Sequence, residues 1–284
     1  MAQAMDMMAR IRDRAVVLTQ SEERLVAELV KAPRDVALLS AAAFAERAGL
    51  HEATCSRLAR KLGYDSYAAF RRAMQQAYLG GEPATRMAST LSEAGEDPLR
   101  HLIALETASL GRLTDHVDAA QIAAAAEILD GRRVFVFAHG NASVLAAQAE
   151  RRLQRMAVDV RMLEGSARDL AETALGITGQ DAVLLFAFRH QPPGYAALMD
   201  RARQVGARTL VIADEVGPLL RPAAEGMLAA PRTGVPDGFQ TLTVPMLILN
   251  ALILALGRRS EAISSLSDLG ALIASFEADG VTRK

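Results

Sequence analysis

Apolar positions recur with a helical period through the first eighty residues and give way to short continuous runs beyond Arg132. Leu18, Leu25, Val26, Leu29 and Val30 mark one face of a helix over Leu18–Lys31. Thr19 or Ser21 can cap it, and Pro33 ends it. Two short helices follow within Ala41–Arg60, then a turn at Gly63-Tyr64. Ser66 can cap a further helix through Tyr67, Phe70, Met74 and Tyr78, with Gly80-Gly81 as its stop. Residues 1–79 therefore predict an all-helical bundle. Residues 80–97, rich in Gly, Ser, Pro and acidic side chains, read as a linker with a short helix around Ala88–Ala94. Pro98–Thr114 and Ala119–Asp130 predict two more helices.

Beyond Arg132, strands alternate with helices. Val134–Ala138, Val158–Leu163, Ala182–Phe188, Thr209–Ala213 and Gly226–Ala230 have the composition of strands. Ser143–Met156, Ser166–Leu175, Tyr195–Val205, Leu219–Glu225 and Phe239–Leu256 have that of helices. The run Ala182–Phe188 is wholly apolar, as a strand covered on both faces requires. The second domain, residues 98–284, is thus expected to be α/β, with a doubly wound five-stranded parallel sheet of order 2-1-3-4-5.

The segment Ala41–Arg60 has the spacing of a DNA-reading helix-turn-helix. Ala45 lets the helices approach, Gly49 permits the turn, and Leu50, Cys55 and Leu58 bury the second helix. His51, Thr54, Ser56, Arg57, Arg60 and Lys61 are then the candidates for phosphate and base contacts. Thr54 can instead bond its own helix, and Cys55 reads as core. The charge balance suits this assignment. Residues 1–80 carry an excess of three positive charges and residues 81–284 an excess of four negative, within a net charge of −1.

A single cysteine, Cys55, allows no intrachain disulfide, which fits a reducing cytoplasm. Met1–Arg14 alternates charge without a continuous apolar core, so no signal peptide is expected. The longest apolar run, Met246–Leu256, contains Asn250 and is too short to span a bilayer. His51, His101, His116, His139 and His190 are scattered, with no metal-ligand spacing and no H-E-x-x-H. His139-Gly140-Asn141-Ala142-Ser143 lacks the glycines of a dinucleotide fingerprint. Neither a metal nor a cofactor is expected.

The chain resembles the RpiR/MurR family of bacterial transcriptional regulators, in which a helix-turn-helix precedes a sugar isomerase (SIS) domain that senses a small effector. The resemblance is carried by Ser21-Glu22, Phe44-Ala45-Glu46-Arg47-Ala48-Gly49, Glu52-Ala53-Thr54, Ser56-Arg57 and Leu62-Gly63-Tyr64. In the second half it is carried by Gly140-Asn141-Ala142-Ser143, by Gly206-Ala207-Arg208 and by Asp214. It implies double-stranded DNA and a small carbohydrate-derived effector as partners, and a homodimer or homotetramer. One departure is specific. Where SIS domains resemble Ser-x-Ser-Gly-x-Thr after the third strand, this chain has Ala187-Phe188-Arg189-His190-Gln191-Pro192. The hydroxyls that cradle a sugar phosphate are absent, and no residue matches the catalytic Glu or His of SIS isomerases.

In an open α/β sheet the ligand sits beyond the carboxyl ends of the strands where the order reverses, here between strands one and three. Asn141, Ser143, Arg189 and His190 flank that crevice and are the candidate effector-binding residues, suited to an anionic ligand. Ser143 either bonds that anion or caps its helix, and Asp214 reads as a turn or cap residue. A ligand-responsive regulator is the leading reading; an SIS-type isomerase or lyase with an appended helical domain is the alternative.

Overall fold

A computed structural model describes residues 10–11, 17–78, 83–232, 238–258 and 260–279. The first domain builds its core from helices α1 (Gln20–Lys31), α2 (Pro33–Leu38), α3 (Ala41–Arg47), α4 (Glu52–Lys61) and α5 (Tyr67–Tyr78). Thr19 and Glu22 form a reciprocal capping box at the start of α1. Burial alone would raise the Glu22 pKa, but hydrogen bonds from Lys61 and Thr19 outweigh it and hold the carboxyl low. Pro33 ends α1 and also opens α2, whose first turn needs no N–H from it. Ser40 and Ser66 supply the oxygens at the starts of α3 and α5. Leu25, Leu29, Phe44, Leu58 and Phe70 fill the centre of the bundle. The Gly80-Gly81 stop lies outside the described residues, as does Met1–Arg14 apart from Arg10 and Ile11.

Helix α6 (Pro83–Ala94) occupies most of the segment read as a linker, and α7 (Pro98–Gly111) and α8 (Ala119–Leu129) follow. The sheet consists of β1 (Val134–Phe137), β2 (Val160–Leu163), β3 (Ala182–Ala187), β4 (Arg208–Ala213) and β5 (Gly226–Ala229). It is parallel throughout, in the expected order β2-β1-β3-β4-β5. Helices α9 (Ser143–Gln154), α10 (Ala167–Leu175) and α11 (Tyr195–Val205) are the crossovers, and α12 (Thr243–Gly257) and α13 (Ser260–Ala278) complete the chain. Alternate residues of each strand serve the two faces. Val134, Val136, Leu184, Phe186 and Ile212 pack with α8, α9 and α12. Phe135, Phe137, Val183, Leu185 and Val211 pack with α10 and α11 on the other side. That double burial is why the strands read as unbroken apolar runs.

Two expectations change. The helix over Leu219–Glu225 does not form; a single 3-10 turn, Gly217–Leu219, stands there, and the chain then bends at Arg221-Pro222 and again at Glu225 before β5. Pro222 has no N–H to give and disfavours helical backbone at Arg221. The Arg221 and Glu225 N–H groups bond instead to Gln191 Oε1 (2.9 Å) and Thr209 Oγ1 (2.9 Å). Helix α12 starts at Thr243 rather than Phe239, and the Phe239 N–H donates to Thr90 Oγ1 at 2.8 Å.

One ion pair closes the amino end of the sheet. Asp181, just before β3, accepts from Arg133 Nε (3.0 Å) and Nη2 (2.9 Å) and from the Thr178 N–H (2.7 Å). Burial pushes its pKa up, but these bonds outweigh it and leave the carboxyl below its ordinary value. The stabilisation is therefore present above the unfolded carboxyl's range and lost as pH falls through the depressed native value. Asp181→Ala should lower stability by about 3 kcal/mol at neutral pH, as expected for a broken, mostly buried pair. The deficit should shrink at pH 2–3. Urea unfolding at both pH values checks this, and a deficit independent of pH would contradict it.

Candidate functional site

The helix-turn-helix is built from α3, a turn through Ala48–Leu50, and α4. Gly49 adopts φ +64°, and a Cβ there would lie 3.0 Å from Arg24 Nη2. That same nitrogen donates to the Ala48 carbonyl at 2.6 Å, so α1 clamps the turn. His51 caps α4, its Nδ1 accepting from the Ala53 N–H at 3.3 Å. Cys55 is buried with Sγ 3.4 Å from the Ala41 carbonyl. Burial and Glu52 push its thiol up to about 11, which makes it a core residue without nucleophilic character.

The six candidate DNA-contacting residues divide. His51, Arg57 and Arg60 are exposed, and Ser56 is half-buried on the same helix. Thr54 is buried, and its Oγ1 accepts from Arg57 Nη2 at 3.1 Å. Lys61 Nζ lies 2.6 Å from Glu22 Oε2 and 2.9 Å from the Val17 carbonyl. Thr54 and Lys61 thus hold the reading helix in place, whereas Arg57 and Arg60 face outward.

At the carboxyl end of the sheet, the loops after β1 and β3 flank the point where strand order reverses. On the β1 side Gly140–Ala142 forms a 3-10 turn, and Asn141 and Ser143 are exposed. Ser143 is the first residue of α9 rather than its cap; the cap position is Ala142, which supplies no side-chain bond. The amide groups at this helix start are therefore left without side-chain acceptors.

The β3 side is held by Asp214, whose sequence position reads as a turn or cap. Asp214, 7 % exposed, directly follows β4. It accepts from the Arg189 N–H with both oxygens (2.9 and 3.1 Å), from the Val216 N–H (3.1 Å) and from Arg232 Nε (2.9 Å). Arg189 thereby sits at φ +69°, a left-handed backbone that an arginine rarely adopts. The guanidinium of Arg232 lies 5.3 Å from the centre of the Phe188 ring. His190 is exposed. Even so, surrounding protein and the Arg189 charge hold its pKa below the usual histidine range, with His139 adding to the effect and Asp214 opposing it. The positive charge of this loop therefore comes chiefly from arginine.

Gln191, also buried, turns away from the crevice. Its N–H donates to the Val30 carbonyl in the last turn of α1 at 3.0 Å, and its Oε1 accepts from the Arg221 N–H. Around this bond one apolar cluster runs from Leu25, Leu29 and Val30 to Val216, Leu219 and Leu220. The loop after β3 is thus also the seat of the first domain. Among the described residues no group of three or more His, Cys, Asp or Glu side chains is placed to hold a metal. No helix among them is long and apolar enough to cross a membrane.

Residues 5–79 match the family described as "Helix-turn-helix domain, rpiR family". The first domain is thus a helix-turn-helix domain of the rpiR type. Its α/β domain has the fold of sugar isomerase domains. The chain is similar to the Vibrio vulnificus NanR protein, solved in complex with ManNAc-6P, with a TM-score of 0.56 at 18% identity, covering 95% of this chain and 98% of that one. The sugar isomerase domain of an RpiR transcription factor from Sphaerobacter thermophilus superimposes with a TM-score of 0.54 at 19% identity, covering 61% of this chain and 97% of that one. A curated relative, the "Bifunctional protein glk" of Burkholderia orbicola (strain AU 1054), is 23% identical over 215 residues, 75% of this chain. The chain spans about a third of the length of the curated relatives it matches.

The strain at Arg189 is directly testable. Replacing a residue by glycine ordinarily costs about 0.4–1 kcal/mol through the greater freedom of the unfolded chain. Relief of a left-handed backbone offsets that by about 1–3 kcal/mol. Arg189→Gly should therefore leave stability unchanged or raise it by about 1 kcal/mol in denaturant titrations, and a loss of 1 kcal/mol or more would show that no strain is stored there.

Proposed function

We propose that this chain is a ligand-responsive transcriptional regulator that reads double-stranded DNA through α4 and senses a small anionic metabolite in the β1–β3 crevice. The observation that carries the reading is the Gln191–Val30 hydrogen bond. It links the loop bordering the crevice to the helix that clamps the turn before α4, so a ligand that shifts residues 188–191 shifts the mount of the reading helix.

In this reading His51, Ser56, Arg57 and Arg60 approach the DNA, while Thr54 and Lys61 orient the helix. Asn141 and Ser143 supply hydrogen bonds to the ligand from the β1 side, and Arg189 and His190 border it from the β3 side. The ligand of NanR, a sugar phosphate, supports a carbohydrate-derived effector. A different mode of holding it is supported by Ala187-Phe188-Arg189-His190-Gln191-Pro192, which offers no side-chain hydroxyl. The same feature favours a sensor over an isomerase, and a cytoplasmic regulator is the setting that fits.

The proposed assembly is a homodimer or homotetramer. Leu99 and Ile103 on α7, Leu254 on α12, and Ile263, Leu272 and Phe276 on α13 are all exposed. Monomers seldom leave so much apolar surface open, and a helix-turn-helix usually reads paired half-sites. Light scattering should report at least a dimer at micromolar concentration; a monomer would remove this part of the reading.

Arg57→Ala tests the function itself. Loss of one good base contact weakens binding by about 1–3 kcal/mol per half-site. Gel shifts on the chain's own upstream DNA should show that loss with an unchanged melting temperature. Wild-type affinity in the variant, or sugar-phosphate isomerase turnover by the parent protein, would overturn the proposal.

A further inference from the structure

Two arginines that brace this fold make three hydrogen bonds each. Arg201 gives three bonds to the carbonyls of Ala174, Leu175 and Ile177. Arg133 gives its own to Asp181 and to the Gly176 carbonyl. Arg232 differs. Its side chain is 8 % exposed, yet one bond, from Nε to Asp214 Oδ2, accounts for its hydrogen bonding among the described residues. A guanidinium has five N–H donors, and the terminal nitrogens of Arg232 are not among the fully buried, unpaired atoms of the described residues, so they reach the surface without a protein acceptor. Asp214 cannot serve more of them, because the Arg189 and Val216 N–H groups already share its oxygens. Asp214 therefore balances the charge of Arg232 and leaves most of its donors unserved.

Position gives this surplus a use. Phe188, Asp214 and Arg232 lie just past the carboxyl ends of β3, β4 and β5, on the end of the sheet where α/β folds bind ligands. The Phe188 ring and the Asp214 carboxylate fix the guanidinium from two directions. Phe188 is also the residue immediately before Arg189 and His190. A fixed, largely desolvated guanidinium is the group best suited to hold an oxyanion through paired N–H donors.

We propose that Arg232 is the oxyanion-binding residue of the crevice, taking the phosphate or carboxylate group of the effector, with Asp214 and Phe188 as its mount. The assignment rests on the effector reading above and gives it a chemical anchor. In place of the missing hydroxyl loop stands one arginine just beyond β5. An anion seated there also touches the Asp214 network that shapes Arg189, so occupancy reaches the loop that carries Gln191.

Calorimetric titration of the full chain with inorganic phosphate, glucose 6-phosphate, gluconate and uncharged glucose tests this. Wild-type protein should bind phosphate or one of the two charged sugars in preference to glucose, and the preferred one identifies phosphate or carboxylate as the group held. Arg232→Lys keeps the charge opposite Asp214 but loses the fork, and should weaken that binding at least tenfold with the fold intact. The double variant Arg232→Gln/Asp214→Asn removes both charges and should weaken it as much, which keeps the test open if Arg232→Lys proves unstable. Wild-type affinity in either folded variant, or failure of all three anions to bind the parent protein, would overturn the assignment. Arg232-dependent anion binding by a protein that does not bind DNA would support this site while removing the regulator reading. DNA binding with anion affinity indifferent to Arg232 would do the reverse.

Discussion

The carboxylate of Asp214 is the constraint on which the ligand end of this molecule depends. Placed at the end of β4 and almost fully buried, it must be neutralised and hydrogen-bonded, and it finds Arg232, the Val216 N–H and the Arg189 N–H. The bond to Arg189 forces a left-handed residue into the loop after β3. That reversal redirects the chain so that, two residues later, the Gln191 N–H meets the Val30 carbonyl. One acid thus shapes the crevice wall, orients an arginine beside it, and presents the docking point for the DNA-reading domain.

Much of this was legible in the sequence where local rules and tertiary packing agree. The glycine and small residues of Phe44–Leu50 announce a tight helix-turn-helix because only such side chains permit the approach. The unbroken apolar runs of β1, β3 and β4 announce strands covered twice. Legibility failed where a residue's fate depends on a distant partner. Asp214 looks like any turn aspartate until Arg232, eighteen positions on, is brought against it. Leu219–Glu225 has helical composition, yet Pro222 and the competing acceptors on Gln191 and Thr209 keep it out of a helix.

The candidate residues show the same division. Arg57 and Arg60 stay exposed, as the outward face of a short helix should, and among the described residues no acid forms an ion pair with them. Lys61 does meet such a competitor in Glu22, a pairing between α1 and α4 that helical spacing alone could not reveal. Ser143 was read as either a cap or a ligand contact. The preceding 3-10 turn displaces it by one position into the helix, so capping is no longer its role. Arg232 carried no sequence signal of its own. A lone arginine after a short edge strand becomes notable only when its burial and its uneven hydrogen bonding are seen together.

The central claim is that the loop at the crevice and the DNA-reading domain form one mechanical unit. Native-state hydrogen exchange resolved at the Gln191 amide tests it most directly, because that N–H is the bond between them. The account predicts that Gln191 is protected and opens with the same free energy as the last turn of α1, in a single cooperative event. If Gln191 exchanges at the rate of an exposed loop while α1 remains protected, the two domains are not joined there, and the proposed route from ligand to DNA fails.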